Sequence, residues 1–312
     1  MTRRISASAP GRCGIIGNPS DIYGGAVVSC SIPARNTCTL LLGEAGVMPT
    51  DLRLWNAATA RYPVSGPVTL EWDSAIPRSS GLSGSTATLA ATLLCVLEAR
   101  GKAPGLNTPN ARSDFAELVR DVERNEAGIV CGYQDAYMIV HGGLQFMEFA
   151  GKHPVNPGPQ GKLTELDVPL PFLLVTTGVE RLSGSVHGPM AQRWLAGEPA
   201  VVSGMARIAE LGREGAAALS QQHWADLGAL MNENHAIVAS LGGSGDEIDR
   251  LVSTCLDCGA IAAKPAGAGL GGTIIALAEE SAELQNRLAE HGYSRFMKPS
   301  RECGVCLLAP RI

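Results

Sequence analysis

Aromatic side chains are scarce: Phe, Trp and Tyr make up 4% of the 312 residues, which leaves few rings on which a nucleobase or a sugar could stack. Long apolar runs are missing too. The longest, Thr86 to Ala99, falls short of the roughly 20 residues needed to cross a bilayer and reads as a buried helix. Positive charge is not in excess, with 25 Lys and Arg against 30 Asp and Glu, so there is no basic field to hold a nucleic-acid backbone. The basic start, Met1-Thr-Arg-Arg, lacks an apolar stretch of signal-peptide length behind it. No Walker loop G-x-x-x-x-G-K-[ST] occurs, no G-x-S-x-G elbow and no H-x-x-x-H pair. Gly267 to Gly272 runs into a strand and has no strand-to-helix turn, which disfavours a Rossmann dehydrogenase. These absences leave a soluble, cytoplasmic chain whose partners are small molecules, with neither nucleic acid nor membrane among them.

What the chain has in excess is glycine, 37 residues, about 12% against roughly 7% in ordinary proteins and without a collagen period. Hydrophobic residues at 45% and charged residues at 18% are globular values, and the length suggests about two domains. Nine cysteines, an odd number spread along the chain, read as reduced thiols in a reducing compartment. Two pairs, Cys255/Cys258 and Cys303/Cys306, have metal-like local spacing, but 44 residues separate them and buried thiols are the default. The second pair runs into an apolar segment, Val305 to Ala309, that holds Cys306 and reads as a core strand.

Apolar runs at Ala26–Pro33, Thr37–Leu42, Leu170–Thr177 and Thr273–Leu277 predict strands. Helical patterns cover 83–100, 114–125, 186–212, 215–240, 245–258 and 279–291, the second opening on the capping-box spacing of Asp114 and Glu117. The Gly/Pro-rich stretch Gly151–Lys162 is the candidate boundary between two α+β or α/β halves.

Three glycine-rich segments stand out. In the first, Ser8 to Gly25, a short apolar run feeds a turn holding Asn18, Ser20 and Asp21. The second, Ile76-Pro-Arg-Ser-Ser-Gly-Leu-Ser-Gly-Ser-Thr86, leads into the apolar helix, where small residues and free N–H groups at a helix start suit a phosphate. Hydroxyls there could also ligate Mg²⁺. The third, Ala262 to Thr273, contains Gly267-Ala-Gly269. Each alone has a bland reading as a hairpin loop, a Ser-capped helix or a tight turn.

Taken together and in this order, the three resemble the motifs of the GHMP kinase superfamily. Gly17-Asn-Pro-Ser-Asp21, Gly132-Tyr-Gln-Asp135, Gly142-Gly-Leu-Gln-Phe-Met147 and Arg193-Trp-Leu-Ala-Gly197 are similar to glucuronokinases in particular, whereas Lys264-Pro-Ala is more like some phosphomevalonate kinases. The resemblance implies an α+β fold in two domains. The first, residues 1–165, is of the ribosomal-S5 type, and the second, residues 166–312, is ferredoxin-like.

It also implies an ATP- and Mg²⁺-dependent kinase of sugar metabolism, monomeric or homodimeric, that phosphorylates a hydroxyl of a sugar or sugar acid, most closely the anomeric hydroxyl of a uronic acid. A heptose-phosphate or phosphomevalonate kinase is the alternative, and a catalytically silent ligand-binding regulator the alternative of another class. By resemblance Asp135 is the general base, or the group that orients and polarises the acceptor hydroxyl, and Arg12 the cation beside it that stabilises developing charge. Ser85 and Glu123 are the metal ligands, with Glu126 as the rival. Ser79, Ser80, Gly81, Leu82, Ser83, Gly84, Ser85 and Thr86, with Gly267, Ala268 and Gly269, surround the nucleotide. Asn18, Ser20, Asp21 and Gln134 face the acceptor, and Arg193 is the candidate for its carboxylate because a guanidinium binds one bidentately.

Overall fold

Two long strands, β1 (Arg3–Ile16) and β2 (Ala26–Leu42), pair antiparallel from Arg3 opposite Leu42 to Ile16 opposite Val28. The computed structural model describes residues 3–178 and 184–309, apart from 268, 270 and 271. The two apolar runs expected after residue 26 are one strand. Its polar middle, Arg35 and Asn36, is accommodated where β1 shifts register between Pro10 and Gly11, a bulge that bends and twists the ribbon.

A 3₁₀ turn (Ser20–Tyr23) joins the two strands. The outer half of β2 pairs with β3 (Val68–Ser74) and its inner half with β4 (Leu144–Glu148), which in turn pairs with β5 (Lys162–Glu165). The Gly/Pro-rich stretch Gly151–Lys162 therefore connects two strands of one sheet, and the chain leaves that sheet only after β5.

Helix α2 (Gly84–Ala99) is apolar on all sides and so has to be covered on all sides. It lies against β1 and β2 and is enclosed by α1 (Arg53–Arg61), α3 (Pro109–Asn125) and α4 (Gln134–His141). Leu89, Leu93, Leu94 and Val96 are fully buried there, each contributing about 1.5–3 kcal/mol. Helix α3 starts five residues before the expected Asp114. Thr108 accepts a hydrogen bond from the Ala111 N–H and Pro109 occupies the first helical position, so this cap overrides the capping-box spacing further on.

The second sheet is antiparallel with the order β7 (Ala262–Pro265), β8 (Thr273–Leu277), β6 (Phe172–Thr176) and β9 (Phe296–Met297). Helices α8 (Asp246–Asp257) and α9 (Ser281–Glu290) close one side of it over Leu251, Cys255, Leu284 and Leu288. Between β6 and α8 the chain forms α5 (Gly184–Leu195), α6 (Pro199–Ser220) and α7 (Trp224–Ser240). The expected patterns 186–212 and 215–240 divide elsewhere, because Pro199 restarts the helix and Gln222 takes a left-handed φ of 58°. Helix α6 packs on β2 and α7 on β7 and β1, so these two helices join the halves.

The C-terminal segment returns to the first sheet as β10 (Cys306–Leu307), paired with β1 and shorter than the expected core strand, with Val305 alone fully buried. All nine cysteines are free thiols. Cys255 and Cys258 belong to the second layer and Cys306 to the first sheet. Among the described residues no helix is long and apolar enough to cross a membrane, and no group of three His, Cys, Asp or Glu assembles for a metal ion.

Candidate active site

The loop before α2 is held in an uncommon backbone. Ser79, Gly81 and Ser83 all take left-handed φ values, of 51°, 75° and 62°, a conformation that only surrounding structure sustains in a serine. Ser83 stands at the N-cap position with no capping bond from its side chain, and its buried Oγ has no partner. The first-turn N–H groups of α2 are thus left open to an anion. The loop borders a cavity of about 690 Å³ lined by Ser79, Ser80, Gly81, Ser83, Gly84, Ser85 and Thr86. Leu82 turns its side chain into the core, so its part in the loop is through backbone alone, its carbonyl accepting from the Arg12 N–H at 3.1 Å.

Arg12, on β1, is the hub. It is 5% exposed; its Nε and Nη2 reach Asp135 Oδ1 at 2.7 and 2.6 Å, and its Nη1 donates to the carbonyls of Gly81 at 2.6 Å and Ala266 at 3.2 Å. One guanidinium therefore ties all three glycine-rich segments to the first turn of α4, where Asp135 remains partly open to the cavity. Gly267 and Gly269 line the same cavity, and a Cβ on Gly267 would come 2.9 Å from the Gly81 carbonyl, so the two loops can touch only backbone to backbone. Ala268 lies outside the described residues.

Glu123, from α3, is 1% exposed and accepts from Ser85 Oγ at 3.1 Å and from Thr86 Oγ1 at 2.9 and 3.0 Å. Burial, and then the nearby charge of Asp135, push its pKa up to about 7. Its rival Glu126 is held by Arg61 at 2.5 Å. Among the described residues no basic side chain pairs with Glu123. A buried carboxylate beside a hydroxyl, facing a cavity suited to phosphate oxygens, is the hard-oxygen donor set that Mg²⁺ takes.

The residues expected to face the acceptor are placed differently. Asp21 is 2% exposed, and its Oδ2 accepts the backbone N–H groups of Tyr133 and Gln134 at 2.6 and 2.9 Å, capping α4 from outside its own helix. Ser20 is buried on the Ala26 carbonyl, and the Gln134 amide donates to Ser29 Oγ at 3.0 Å. Asn18 bridges Lys264 and Gly267. Arg193 forms a two-pronged pair with Glu198 and donates to the Leu241 carbonyl at 2.7 Å, which fastens α5 to the end of α7. None of the five lines the cavity, because each meets backbone or side-chain partners first.

Several lining residues escape sequence reasoning. His187 of α5, Cys131, Asp51, Arg53, Leu54 and Trp72 line the same cavity. Trp72 Nε1 donates to Thr92 Oγ1 at 3.0 Å, which fixes its indole against α2. It is one of only four tryptophans. A lone tryptophan in an alternating strand was the sole local sign of it.

Comparisons with known proteins bear on the family and the fold. The model described as GHMP kinases N terminal domain matches residues 52–143 and that described as GHMP kinases C terminal matches 216–294, together more than half of the chain. Probable glucuronokinase 2 of Arabidopsis thaliana is 36% identical over 181 residues, covering 56% of this chain and 47% of that protein. The chain thus spans about half the length of the glucuronokinases it matches. A mevalonate kinase of Aeropyrum pernix is 28% identical over 310 residues and 90% of each chain. Among solved structures, Lactococcus lactis galactokinase complexed with galactose superposes with a TM-score of 0.75 at 19% identity, covering 98% of this chain and 95% of that one.

Proposed function

The chain belongs to the GHMP kinase family, and on that premise we propose that it is an ATP-dependent kinase that phosphorylates a hydroxyl of a sugar or sugar acid, the anomeric hydroxyl of a uronic acid being the preferred acceptor. The observation that carries this reading is the Arg12–Asp135 pair at the edge of the cavity that holds the open helix start. The similarity to glucuronokinases supports the choice of acceptor.

In this reading the loop Ser79–Thr86 and the start of α2 hold the phosphates through backbone N–H groups, and Gly267 keeps the opposite wall free of side chains. Ser85 and Glu123 would hold Mg²⁺, which supplies charge neutralisation on the phosphate oxygens when bound. Asp135 accepts a hydrogen bond from the acceptor hydroxyl and takes its proton as that oxygen bonds to the γ-phosphorus and the bond from phosphorus to the bridging oxygen breaks, ADP leaving with the electron pair. Arg12, locked by two carbonyls and a carboxylate, presents fixed positive charge where negative charge develops and needs no reorganisation to do so.

The test is ADP release from Mg²⁺·ATP with a panel of glucuronic acid, galacturonic acid, neutral sugars, sugar phosphates and mevalonate. Turnover highest with a uronic acid is the expected result. Turnover confined to a phosphorylated sugar or to mevalonate would overturn the acceptor, and nucleotide binding without turnover on any acceptor would overturn the enzyme reading.

A further inference from the structure

Lys264, on β7, is a buried cation with no task in the reaction described above, and it is 1% exposed. Its Nζ donates to Asn18 Oδ1 at 2.7 Å and to the Pro265 carbonyl at 2.9 Å. Among the described residues no carboxylate pairs with it; the groups around it are Arg12 and Cys13 from β1 and His235 from α7. Burial, and then the charge of Arg12, pull its pKa down to about 7. A buried ammonium without a counter-ion is unfavourable, and an apolar side chain of similar volume would suit the fold better.

The asparagine it touches acts in two directions. While Asn18 Oδ1 accepts from Lys264, its amide donates to the Gly267 carbonyl. The turn itself is held from the other side by Asn234 of α7, whose Oδ1 accepts the Gly17 N–H at 2.9 Å and whose Nδ2 donates to the Asn18 carbonyl at 3.1 Å. Asn18 is therefore immobilised, and Gly267 is hung from it. Gly267 is also the residue that meets Gly81 of the phosphate-facing loop backbone to backbone.

We propose that Lys264 and Asn18 are positioning residues for the nucleotide, forming a strut that sets the distance of the third glycine loop from the phosphate-facing loop. Lys264 fixes the orientation of the Asn18 amide, because its donors force Oδ1 toward β7 and leave Nδ2 for Gly267. The strut touches no reacting atom, so it governs how well the nucleotide is held and leaves the transfer step to Arg12 and Asp135. This inference rests on the proposed function only in taking the cavity as a nucleotide site.

The experiment uses the full chain with Asn18→Asp and Lys264→Met. Asn18→Asp is nearly isosteric and keeps the acceptor for Lys264, but it sets an oxygen against the Gly267 carbonyl. In both variants the KM for ATP and the calorimetric Kd for ADP rise about tenfold or more, the loss of one hydrogen bond involving a charged group or its orienting partner. At saturating ATP, kcat stays within about threefold of the wild type. A wild-type Kd for ADP in Asn18→Asp, or a fall in kcat with the KM for ATP unchanged, overturns the strut. A wild type that binds ADP but turns over no acceptor fails the kinase reading while the ADP titrations still judge the strut; a wild type that binds no ADP overturns both.

Discussion

Replacing Glu123 with Gln separates what this buried carboxylate does for the site from what it does to the fold. Its pKa is raised from 4.5 to about 7, by burial first and by Asp135 second. A carboxyl group raised in this way keeps its proton in the folded chain over a range where the unfolded chain has released it. Stability therefore falls as pH rises from 4.5 to about 7, and above that the full penalty persists. At about 1.4 kcal/mol per pH unit, the penalty on the ligand-free protein is ~3 kcal/mol. Glu123→Gln preserves the shape and an acceptor for Ser85 and Thr86 while removing the charge. Thermal melts of the ligand-free protein then lie close to those of the wild type at pH 4, and at pH 8 the variant melts several degrees higher. Adding Mg²⁺ with a non-hydrolysable ATP analogue raises the wild-type Tm by more than that of the variant, and turnover of the variant falls at least about a hundredfold. A variant less stable than the wild type at pH 8, or one whose turnover keeps its Mg²⁺ dependence, would refute the reasoning.

Three further substitutions test the division between chemistry and scaffold. Asp135→Asn lowers turnover by about 10²–10⁴-fold and leaves the Kd for ADP within about threefold; turnover within tenfold of the wild type would remove Asp135 from its role. Asp21→Ala strips the acceptor from two buried N–H groups at the start of α4, so the Tm drops by an amount consistent with about 1–3 kcal/mol per group. A variant as stable as the wild type but with a raised KM for the acceptor would return Asp21 to the acceptor side. Arg193→Ala leaves turnover and the KM for a uronic acid within about twofold, since its guanidinium is taken by Glu198 and Leu241. A tenfold rise in that KM, with the KM for a neutral sugar unchanged, would show that Arg193 binds the carboxylate.

The placement of Arg193 and Asp21 shows where reading a motif stops. Both sit in segments that resemble the family, and both are polar residues near glycines, which is all that a one-dimensional pattern registers. Which way each side chain turns depends on what the fold brings within 3 Å, and here that is Glu198 in one case and the N-terminal N–H groups of α4 in the other. Gly132 is glycine for a related reason, as a Cβ there would lie 2.1 Å from Asp21 Oδ2. The glycine excess thus marks close packing between segments as well as space for a ligand.

The sequence by itself determined the elements whose causes are local. Helix α2 follows from its continuous apolar run, β6 and β8 from their short apolar segments, and the loop before α2 from its small residues ahead of a helix. The resemblance of their segments also named Arg12, Asp135, Ser85 and Glu123 together, and all four line one cavity. Only the tertiary structure decided that Glu123 and not Glu126 meets Ser85, that the cavity extends to Trp72, that the C-terminal residues return to the first sheet, and that Lys264 reaches back to Asn18 across 246 positions of chain. Such contacts join segments far apart in sequence, and their geometry is set by how sheets and helices pack, which no local spacing encodes.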